Sequence, residues 1–504
     1  MTYIYNMGYD ELVKINSEFK LQIDDLKLQL QQKDDHLAQL IRLIYGTRSE
    51  RFIPTTPNPD QLSLFDLNTS PQIADKPDSQ TITYQRKNKD SKHKGRQLLD
   101  GCRHLPVEEQ IIEVSHSDQA IKIGECITEL LAYKPGKLYL KRIVRTKYKE
   151  PQTEQIICAE PLTQAIPKCE ADHSLLAYIT VSKFVDHLPE YRLQAIFKRE
   201  SVIIPPSTMN NWTHQVSALM SPVADCIQKQ ILSGQYIQMD ESTIRVMDGK
   251  KQSTHLGYMW VINSPSTSMV YFKYNKGRGR DAPLEILQTY SAILQTDGYN
   301  AYESIAKSNS DIIHAGCIAH ARRKFEEALK GPHHDMAEHV LLLIQQLYAI
   351  ERTCRENNYT EIQRLEARAD SAKILQEIKT YIEGHAQILP PGSHMYKAVK
   401  YMLPRWETFI EYTKHGIIEI DNNLIENAIR PLALGRKNYL FAGSHDAAQN
   451  LANFYTIYGT CKKLNLNPYE YTLWLLDNIP HTTINNIHNL TPSSYKNYLE
   501  SDKM

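Results

Sequence analysis

The chain contains 504 residues, enough for roughly three domains of ~150 residues each. Hydrophobic residues make up 41% and charged residues 23% of the sequence, a composition that excludes a collagen, a mucin or a wholly disordered chain. The 58 Lys and Arg residues balance the 58 Asp and Glu residues, so a polyanionic partner must be bound by local positive patches. The eight cysteines form no CxxC pair, which favours reduced thiols over a disulfide framework.

The sequence shows neither a targeting segment nor a membrane span. The first residues, MTYIYNMGYDELV, lack the charged and then apolar layout of a signal peptide. The best apolar run, Val340–Leu343, soon meets Gln345 and Gln346, far short of the ~20 apolar residues that a membrane helix needs. We therefore expect a cytoplasmic protein without a membrane partner.

Residues 1–52 carry a heptad repeat. Apolar residues alternate at spacings of three and four, and Asn16 and Lys33 take the two remaining seam positions: Leu12, Phe19, Ile23, Leu26, Leu30, Leu37, Leu40 and Ile44. We predict a coiled coil through which copies of the chain form a homo-oligomer. The alternative is one amphipathic helix packed on the core of its own chain.

Residues 53–97 have the composition of a linker, first rich in proline and then basic. The basic end carries six cations against the single acid Asp90: Arg86, Lys87, Lys89, Lys92, Lys94 and Arg96. Such a run suits nonspecific contact with phosphates. Equally, it could be a solvated tail that keeps the linker extended.

Two further segments precede the acidic region. Residues 98–170 predict a small β-module, with a strand over Lys137–Tyr148. Residues 171–230 predict helices, one over Glu190–Arg199 and a second that is capped by Ser207 and runs through Val216. This pair is typical of a helix-turn-helix that binds DNA. Helix pairs that only pack together are the alternative.

Residues 231–432 predict a mixed sheet with acids at strand ends. The strand Tyr236–Asp240 ends in an acid, two more strands are predicted over Gly257–Asn263 and Met269–Tyr274, and a helix follows at 282–287. The next strand, from Ala292, ends at Asp297. The carboxylates of Asp240 and Asp297 can converge if their strands are neighbours.

A third acid lies much later in the chain. Asp421, Asn422 and Asn423 can cap a short helix, Leu424–Arg430, that contains Glu426 and that Pro431 would stop. Three carboxylates can hold two divalent cations, because oxygen ligands suit Mg²⁺ or Mn²⁺. Two such ions stabilise the attacking and leaving oxygens of a phosphoryl displacement. Alternatively, these acids simply face water.

Longer motifs around these acids resemble the transposases of the insertion-sequence 66 family. In chain order they are IYGTRSERF (44–52), VSKFVDHLPEYRLQAIFKRE (181–200), PSTMNNW (206–212), TDGYNAY (296–302), GCIAHARRKFEEAL (316–329), DNNLIENAIRPLALGRKNYLFAGSHDAAQN (421–450) and NPYEYTLWLL (467–476). The resemblance covers most of the chain apart from the linker and the C-terminal end.

The resemblance implies an α/β fold with a ribonuclease H-like catalytic domain over residues 231–432. It implies a catalytic, metal-binding triad in which Asp240 of MDES, Asp297 of TDGY and Glu426 of DNNLIEN are the two aspartates and the glutamate. The helical texture of residues 331–415 would then be an insertion within this domain. Residues 433–504 would form a C-terminal element.

Cations near the triad are candidate DNA contacts, with surface salt bridges as the alternative for each. They are His320, Arg322, Arg323 and Lys324 after the second aspartate, and Arg430, Arg436 and Lys437 around the glutamate. Cys317 and His320 form a Cys-x-x-His pair that resembles a motif of several transposase families. Even with His314 it would make a poor zinc site, because no partner pair lies nearby. We therefore expect a structural or DNA-contacting role for His320.

The sequence departs from the family's pattern at two places. Family members usually carry a cysteine-rich zinc module in the region of residues 98–170, where this chain has only the single cysteines Cys102, Cys126 and Cys158. A zinc site is therefore not expected there. Asn427 also follows the glutamate where an arginine is usual, which removes one cation near the scissile phosphate.

The leading hypothesis is a transposase that acts on double-stranded DNA, at the ends of a mobile element and at its target. We expect two Mg²⁺ or Mn²⁺ ions as cofactors. Accessory proteins from the same element are expected as further partners. A second hypothesis is a DNA-binding regulator or remnant that does not cut DNA. A third is a metal-dependent nuclease of the same fold that cuts without joining.

Overall fold

The computed structural model describes residues 136–144, 147–149, 156–158, 163–248, 253–287 and 290–501. The predicted coiled coil, the linker with its basic end and most of the predicted β-module lie outside these residues. The chain forms two compact units. The sheet unit includes Ile227–Ile244 and His255–Arg430, and the helical unit includes Arg245–Thr254, Pro431–Met504 and the described residues before Ile227.

The helical unit begins with a short hairpin, in which strands β1 (Lys147–Lys149) and β2 (Ile156–Cys158) pair antiparallel. The predicted strand Lys137–Tyr148 is wrong over its first part, because residues 136–144 have no regular secondary structure. Nearly all of them are exposed. The alternation of apolar residues and cations there therefore does not produce a buried face.

Three helices follow: α1 (His173–Phe184), α2 (Glu190–Arg199) and α3 (Pro206–Leu232). The bounds of α2 match the prediction, and Leu193 and Phe197 pack with Met209 of α3 in one apolar cluster. The second helix of the pair was predicted too short. It begins at Pro206, a favoured first position, and continues for 27 residues, because buried apolar residues keep recurring on one of its faces.

The central sheet contains the strands β3 (Tyr236–Asp248), β4 (Ser253–Ser264), β5 (Met269–Asn275), β6 (Ile293–Gln295) and β7 (Ile313–Ala315). Their order across the sheet is β5-β4-β3-β6-β7. Strands β4 and β5 pair antiparallel, whereas β6 is parallel to both β3 and β7. The predicted mixed sheet is confirmed. Two short helices, α4 (Asp281–Leu287) and α5 (Asn300–Ser308), connect its later strands.

Helices then cover residues 318–414. They are α6 (Ile318–Ala328), α7 (His334–Glu356), α8 (Glu361–His385), α9 (His394–Met402) and α10 (Trp406–Lys414), with 3-10 turns at Ala386–Ile388 and Leu403–Arg405. A single apolar cluster joins these helices to the sheet, where it includes Tyr236 of β3, Ile293 of β6 and Ala315 of β7. The helical texture predicted for this interval is therefore seen in the structure.

Helix α11 (Asn423–Tyr439) corrects the prediction that Pro431 ends the helix at Arg430. Proline in a helix interior costs ~3 kcal/mol. Apolar side chains on both sides of it are fully buried, Ile425 before and Leu432 after, and their burial outweighs that cost.

The chain ends in the helices α12 (His445–Lys463), α13 (Pro468–Asn478) and α14 (Pro492–Ser501), with 3-10 turns at Ile479–His481 and Ile484–Leu490. In the helical unit, the rings of Phe184 and Phe454 stack with centroids 4.0 Å apart. None of the helices that the structure describes is long and apolar enough to cross a membrane.

Candidate active site on the central sheet

The two predicted aspartates follow the last paired residues of two neighbouring strands. Parallel pairing between β3 and β6 ends at Gln238 and Gln295, which are direct partners. Asp240 and Asp297 each follow two residues later, so they extend from equivalent positions of neighbouring strands. Asp240 is not at a strand end as predicted, because β3 continues to Asp248. It lies instead where the pairing with β6 has ended.

The carboxyl group of Asp240 lies in an environment that disfavours its charge. Burial and the nearby carboxylates of Asp297, Glu241 and Glu426 raise its pKa well above the usual range. The backbone N–H of Glu241 donates a hydrogen bond to Asp240 Oδ1 at 2.8 Å, which opposes that shift. Three acids close enough to raise this pKa make the site a concentration of negative charge.

Asp297 also starts the next helix. Its Oδ1 accepts a hydrogen bond from the backbone N–H of Tyr299 at 2.9 Å, just before α5. The following Gly298 packs so closely on Tyr401 that an added Cβ would lie 2.6 Å from the ring. Arg405 donates to the Gly298 carbonyl at 3.1 Å. The helices inserted after α6 therefore hold the loop that carries the second aspartate.

Glu426 lies in the first turn of α11, and the preceding Asp421 fixes that turn. Asp421 Oδ1 accepts a hydrogen bond from the backbone N–H of Asn423 at 3.1 Å, and its Oδ2 accepts one from the hydroxyl of Tyr348 at 2.8 Å. Burial raises the pKa of Asp421. The cap predicted from the Asp-Asn-Asn sequence is therefore present.

The carboxylate of Glu426 is paired with a cation. Arg323 Nη2 lies 2.7 Å from Oε2 and Nη1 lies 3.1 Å from Oε1, a two-pronged contact that matches guanidinium to carboxylate. His320 Nε2 lies 3.7 Å from Glu426 Oε1. Helix α6 thus brings two of the predicted DNA-binding residues to the predicted catalytic glutamate.

Sequence reasoning missed a second carboxylate beside Asp240. The side chain of Glu241 is only 5% exposed and pairs with Arg278 at 2.6 Å. The hydroxyl of Tyr302 donates to its other oxygen at 2.6 Å. Arg278 also lies over the ring of Tyr299, 4.2 Å from its centroid. In the sequence, only its position next to Asp240 pointed to Glu241. No sequence motif linked Arg278, which follows Glu241 by 37 residues, to this site.

The other predicted cations are dispersed. Arg322 pairs with Glu326 at 3.1 Å and Lys324 with Glu327 at 3.5 Å, both along α6. Arg430 is exposed at the end of the sheet unit's part of α11. Arg436 and Lys437 belong to the helical unit. Of the predicted cations in the sheet unit, His320 and Arg323 lie against Glu426.

The predicted Cys-x-x-His pair lies at the start of α6. Cys317 is buried, which raises the pKa of its thiol, and its Sγ accepts a hydrogen bond from the backbone N–H of Asn422 at 3.4 Å. His314 is engaged elsewhere, with Nε2 2.8 Å from the hydroxyl of Thr296. Cys317 therefore fastens the start of α6 to the segment before α11.

Within the described part of the chain, no three His, Cys, Asp or Glu side chains lie close enough to form a ready metal site. Asp240 and Asp297 each lie two residues after the last pair of β3 and β6, and Glu426 lies within electrostatic range of Asp240. Carboxylate oxygens such as these suit a hard cation. In this structure Glu426 is paired with Arg323.

Comparisons with known proteins agree with the sequence motifs. A family model described as "Transposase IS66 family" matches residues 168–450, and one described as "Transposase C of IS166 homeodomain" matches residues 18–109. Two similar relatives are uncharacterized proteins of Sinorhizobium fredii (strain NBRC 101917 / NGR234). The chain is 29% identical to y4jD over 483 residues, covering 91% of this chain and 94% of that relative. It is 31% identical to y4qI over 386 residues, covering 73% and 71%.

Proposed function

Because this chain belongs to the IS66 family of transposases, we propose that it cuts the DNA strands at the ends of an insertion sequence and joins them to target DNA. The observation that supports this most directly is that Asp240 and Asp297 follow the last pair of two neighbouring parallel strands and that Asp297 and Glu426 both lie within electrostatic range of Asp240. A transposase needs acids held together on a rigid sheet, because positioning rather than a side-chain nucleophile drives phosphoryl transfer.

We assign the sheet unit to the ribonuclease H-like class. This assignment rests on the strand order β5-β4-β3-β6-β7 and on the parallel pairing of β3 with β6 and of β6 with β7. The inserted helices after α6 then separate the second aspartate from the glutamate. The helix pair α2 and α3 lies within the residues that the family model matches, and we propose it as a DNA-binding segment.

We propose that Asp240, Asp297 and Glu426 hold two Mg²⁺ or Mn²⁺ ions. Such ions, when bound, stabilise the charge on the attacking and leaving oxygens of the phosphodiester. Burial and the neighbouring acids raise the pKa of Asp240, and a bound cation would stabilise its charged form, which supports this assignment. Glu426, which is paired with Arg323 in the free protein, would hold the metal together with the two aspartates.

The chain's own side chains supply orientation and counter-charge. Arg323 holds Glu426 in the free protein, and once released it becomes a cation beside the scissile phosphate. Arg278, stacked on Tyr299, supplies the counter-charge of Glu241, the acid next to Asp240. Arg430 and Lys437, both exposed, are further candidates for phosphate contact.

One observation favours a second candidate function. Arg323 occupies both oxygens of Glu426, and a chain that kept this pair permanently would bind DNA without cutting it. Such a protein would act as a regulator derived from a transposase. The two candidates differ in cleavage and agree in DNA binding.

A cleavage assay distinguishes them. The full chain is incubated with a supercoiled plasmid that carries both ends of its own element, with Mg²⁺ or Mn²⁺, beside the variants Asp240→Asn and Asp311→Asn. Asp311 is an exposed acid of the same unit, so its variant controls for the loss of one charge. We expect metal-dependent breaks with 3′-hydroxyl ends at the element boundary, lost in Asp240→Asn and kept in Asp311→Asn.

Other outcomes of the cleavage assay would support a different function or a different site. Binding in a gel without cleavage at any metal concentration would support the regulator. Cleavage without joined products would support a nuclease of the same fold. Cleavage retained in Asp240→Asn would remove Asp240 from the site.

A further inference from the structure

Three polar side chains lie fully buried beneath the proposed active site. They are Tyr236 and Gln238 on β3 and Gln295 on β6, each with no exposed surface. Side chains two residues apart on a strand point to the same face, so Gln238 shares a face of β3 with Asp240. Burying polar groups in a sheet core costs free energy unless every one is hydrogen-bonded. The hydrogen-bond partners of these three side chains therefore indicate which segments they hold in place.

The three side chains form one connected set, which we term the amide ladder. The hydroxyl of Tyr236 donates to Gln295 Oε1 at 2.5 Å, and Gln238 Nε2 donates to the same oxygen at 2.9 Å. Asn263, also fully buried, donates to Gln238 Oε1 at 3.0 Å from β4. The amide ladder therefore connects three adjacent strands, including both strands that carry the aspartates.

The remaining donors of the amide ladder reach the segment that leads to Glu426. Gln295 Nε2 donates to the carbonyl of Glu419 at 2.8 Å, and Gln238 Nε2 donates to the carbonyl of Asp421 at 3.1 Å. The Tyr236 hydroxyl accepts from the backbone N–H of Glu419 at 3.2 Å. These three contacts fix the backbone of residues 419–421, and Asp421 caps the helix in which Glu426 lies.

The amide ladder also fixes the start of α6. Gln295 Nε2 donates to the carbonyl of Gly316 at 3.1 Å, directly before Cys317, which in turn accepts from Asn422. The helix that carries Arg323 and the helix that carries Glu426 are thus anchored to the same buried side chain.

We propose that Tyr236, Gln238 and Gln295 are positioning residues that set the place of Glu426 relative to Asp240 and Asp297. The inference rests on the proposed function, because it assigns these residues to the geometry of that metal site. Glu426 is more than a hundred residues from Asp297 in the chain, so sequence proximity cannot align them. Side chains two residues before each aspartate align the third acid with the strands that carry the first two.

A purely structural role is the competing explanation, and metal affinity separates the two. We would measure Mn²⁺ binding to the full chain by calorimetry, for the wild type, Gln295→Leu and the control Leu294→Ala. Leu294 is fully buried on the opposite face of the same strand, so its variant loses stability without touching the amide ladder. Asp240→Asn gives the background.

Losing residues that orient metal ligands typically lowers metal affinity by 10–100-fold. We therefore expect Gln295→Leu to bind Mn²⁺ at least tenfold more weakly than the wild type and Leu294→Ala to bind within about twofold of it. Equal affinity in Gln295→Leu and the wild type would overturn the positioning role alone. A wild type that binds no Mn²⁺ would overturn the proposed metal site and this inference with it.

Hydrogen exchange of the peptide covering residues 417–426 provides the second measurement. We expect faster exchange there in Gln295→Leu than in Leu294→Ala at matched global stability. If Gln295→Leu fails to fold, Gln238→Met replaces it, since that change removes the contact to Asp421 and leaves Gln295 bonded to Glu419. Unchanged exchange in a folded variant would contradict the anchoring of this segment.

Discussion

Asp240 and Glu426 differ in what compensates their charge. Asp240 has acidic neighbours and a raised pKa, whereas both oxygens of Glu426 accept from Arg323. A guanidinium is a permanent cation whose two N–H groups match a carboxylate. In the free protein the guanidinium of Arg323 occupies the position at Glu426 that we propose for a metal ion.

This exchange predicts an effect of Arg323→Ala on metal binding. Breaking a partly exposed ion pair costs up to about 1 kcal/mol. Mn²⁺ binding to the variant no longer includes this cost, because Glu426 has no arginine partner to lose. We expect Mn²⁺ affinity to rise by about fivefold and the metal-free protein to lose a similar free energy of unfolding. Calorimetry and chemical denaturation give the two values.

Arg322→Ala is the matched control, because the neighbouring Arg322 pairs with Glu326 instead. It should leave Mn²⁺ affinity unchanged. Weaker binding in Arg323→Ala would show that Arg323 holds Glu426 ready for the metal rather than competing with it.

His314 predicts a pH-dependent loss of stability. Burial lowers its pKa to about 4 from the usual value near 6.5. Because the Thr296 hydroxyl donates to the Asp297 carbonyl, it accepts from His314 Nε2. The lowered pKa keeps the imidazole of His314 neutral at pH 7. The unfolded chain therefore gains a proton between pH 6.5 and 4 that the folded chain does not.

The stabilising effect of neutral His314 is complete above pH 6.5 and declines as the pH falls towards 4. We expect a loss of about 3 kcal/mol over that interval, measured by urea denaturation at several pH values. His314→Gln keeps an N–H donor at the same place and cannot titrate. An equally steep pH dependence in that variant would show that other groups cause the decline.

Residue types and spacing predicted acids on β3, after β6 and within α11. The resemblance to the IS66 transposases assigned these acids as a catalytic triad, which stays a prediction. The sequence could not predict Arg278 or the amide ladder, because a buried glutamine has the same local sequence signature as an exposed one. Only the pairing of β3 with β6 reveals that Gln238 and Gln295 meet. Side-chain chemistry was therefore predictable where it follows a motif, and not where it depends on strand neighbours.

At the scale of elements, local sequence signals predicted the ends of two elements wrongly. Pro431 and the acid at position 240 both resembled ends of elements, yet α11 and β3 continue past them. In both cases buried apolar residues continue on the far side, such as Leu432 and Ile244. Tertiary burial decides such boundaries, and it cannot be read from a short window of sequence.

The helical insertion contains a fully buried ion pair. Arg368 of α8 bonds both carboxylate oxygens of Glu351 on α7, at 2.7 and 2.8 Å, and neither side chain is exposed. Its remaining N–H groups bond the carbonyls of Tyr412, His415 and Ile418. This residue joins two helices to the loop that leads towards α11.

Arg368→Met should therefore be strongly destabilising, by about 3–5 kcal/mol, because it leaves the Glu351 carboxylate buried without a partner. The double variant Arg368→Met, Glu351→Leu should lose less, since no charge is then buried alone. Guanidinium denaturation followed by circular dichroism gives both values. A cost below about 1 kcal/mol for the single change would show that the pair does not stabilise the insertion.

At the scale of the whole molecule, each compact unit is assembled from separated segments. The sheet unit takes Ile227–Ile244 and His255–Arg430, while the residues between and after them belong to the helical unit. Consecutive domain boundaries read along the sequence could not anticipate this arrangement. The predicted boundaries at 53, 98, 171, 231 and 433 remain predictions.

Self-association is the remaining prediction at this scale, and it rests on the heptad repeat of residues 1–52, which lie outside the described structure. Transposition joins two DNA ends, so a chain that pairs through its N-terminal segment would bring both ends together. We expect the double variant Leu26→Asp, Leu30→Asp to be monomeric at concentrations where the wild type is oligomeric, because charges at seam positions prevent helices from packing.

Leu28 provides the matched control, since it lies between the same two seam residues but off the seam. Leu28→Asp should therefore keep the oligomer, and analytical ultracentrifugation of the three full-length proteins measures the difference. An oligomer that survives the double seam variant would place self-association elsewhere in the chain. Loss of the oligomer in Leu28→Asp as well would contradict pairing through the heptad seam, and a wild type that is monomeric at every concentration would favour a helix packed on the core of its own chain.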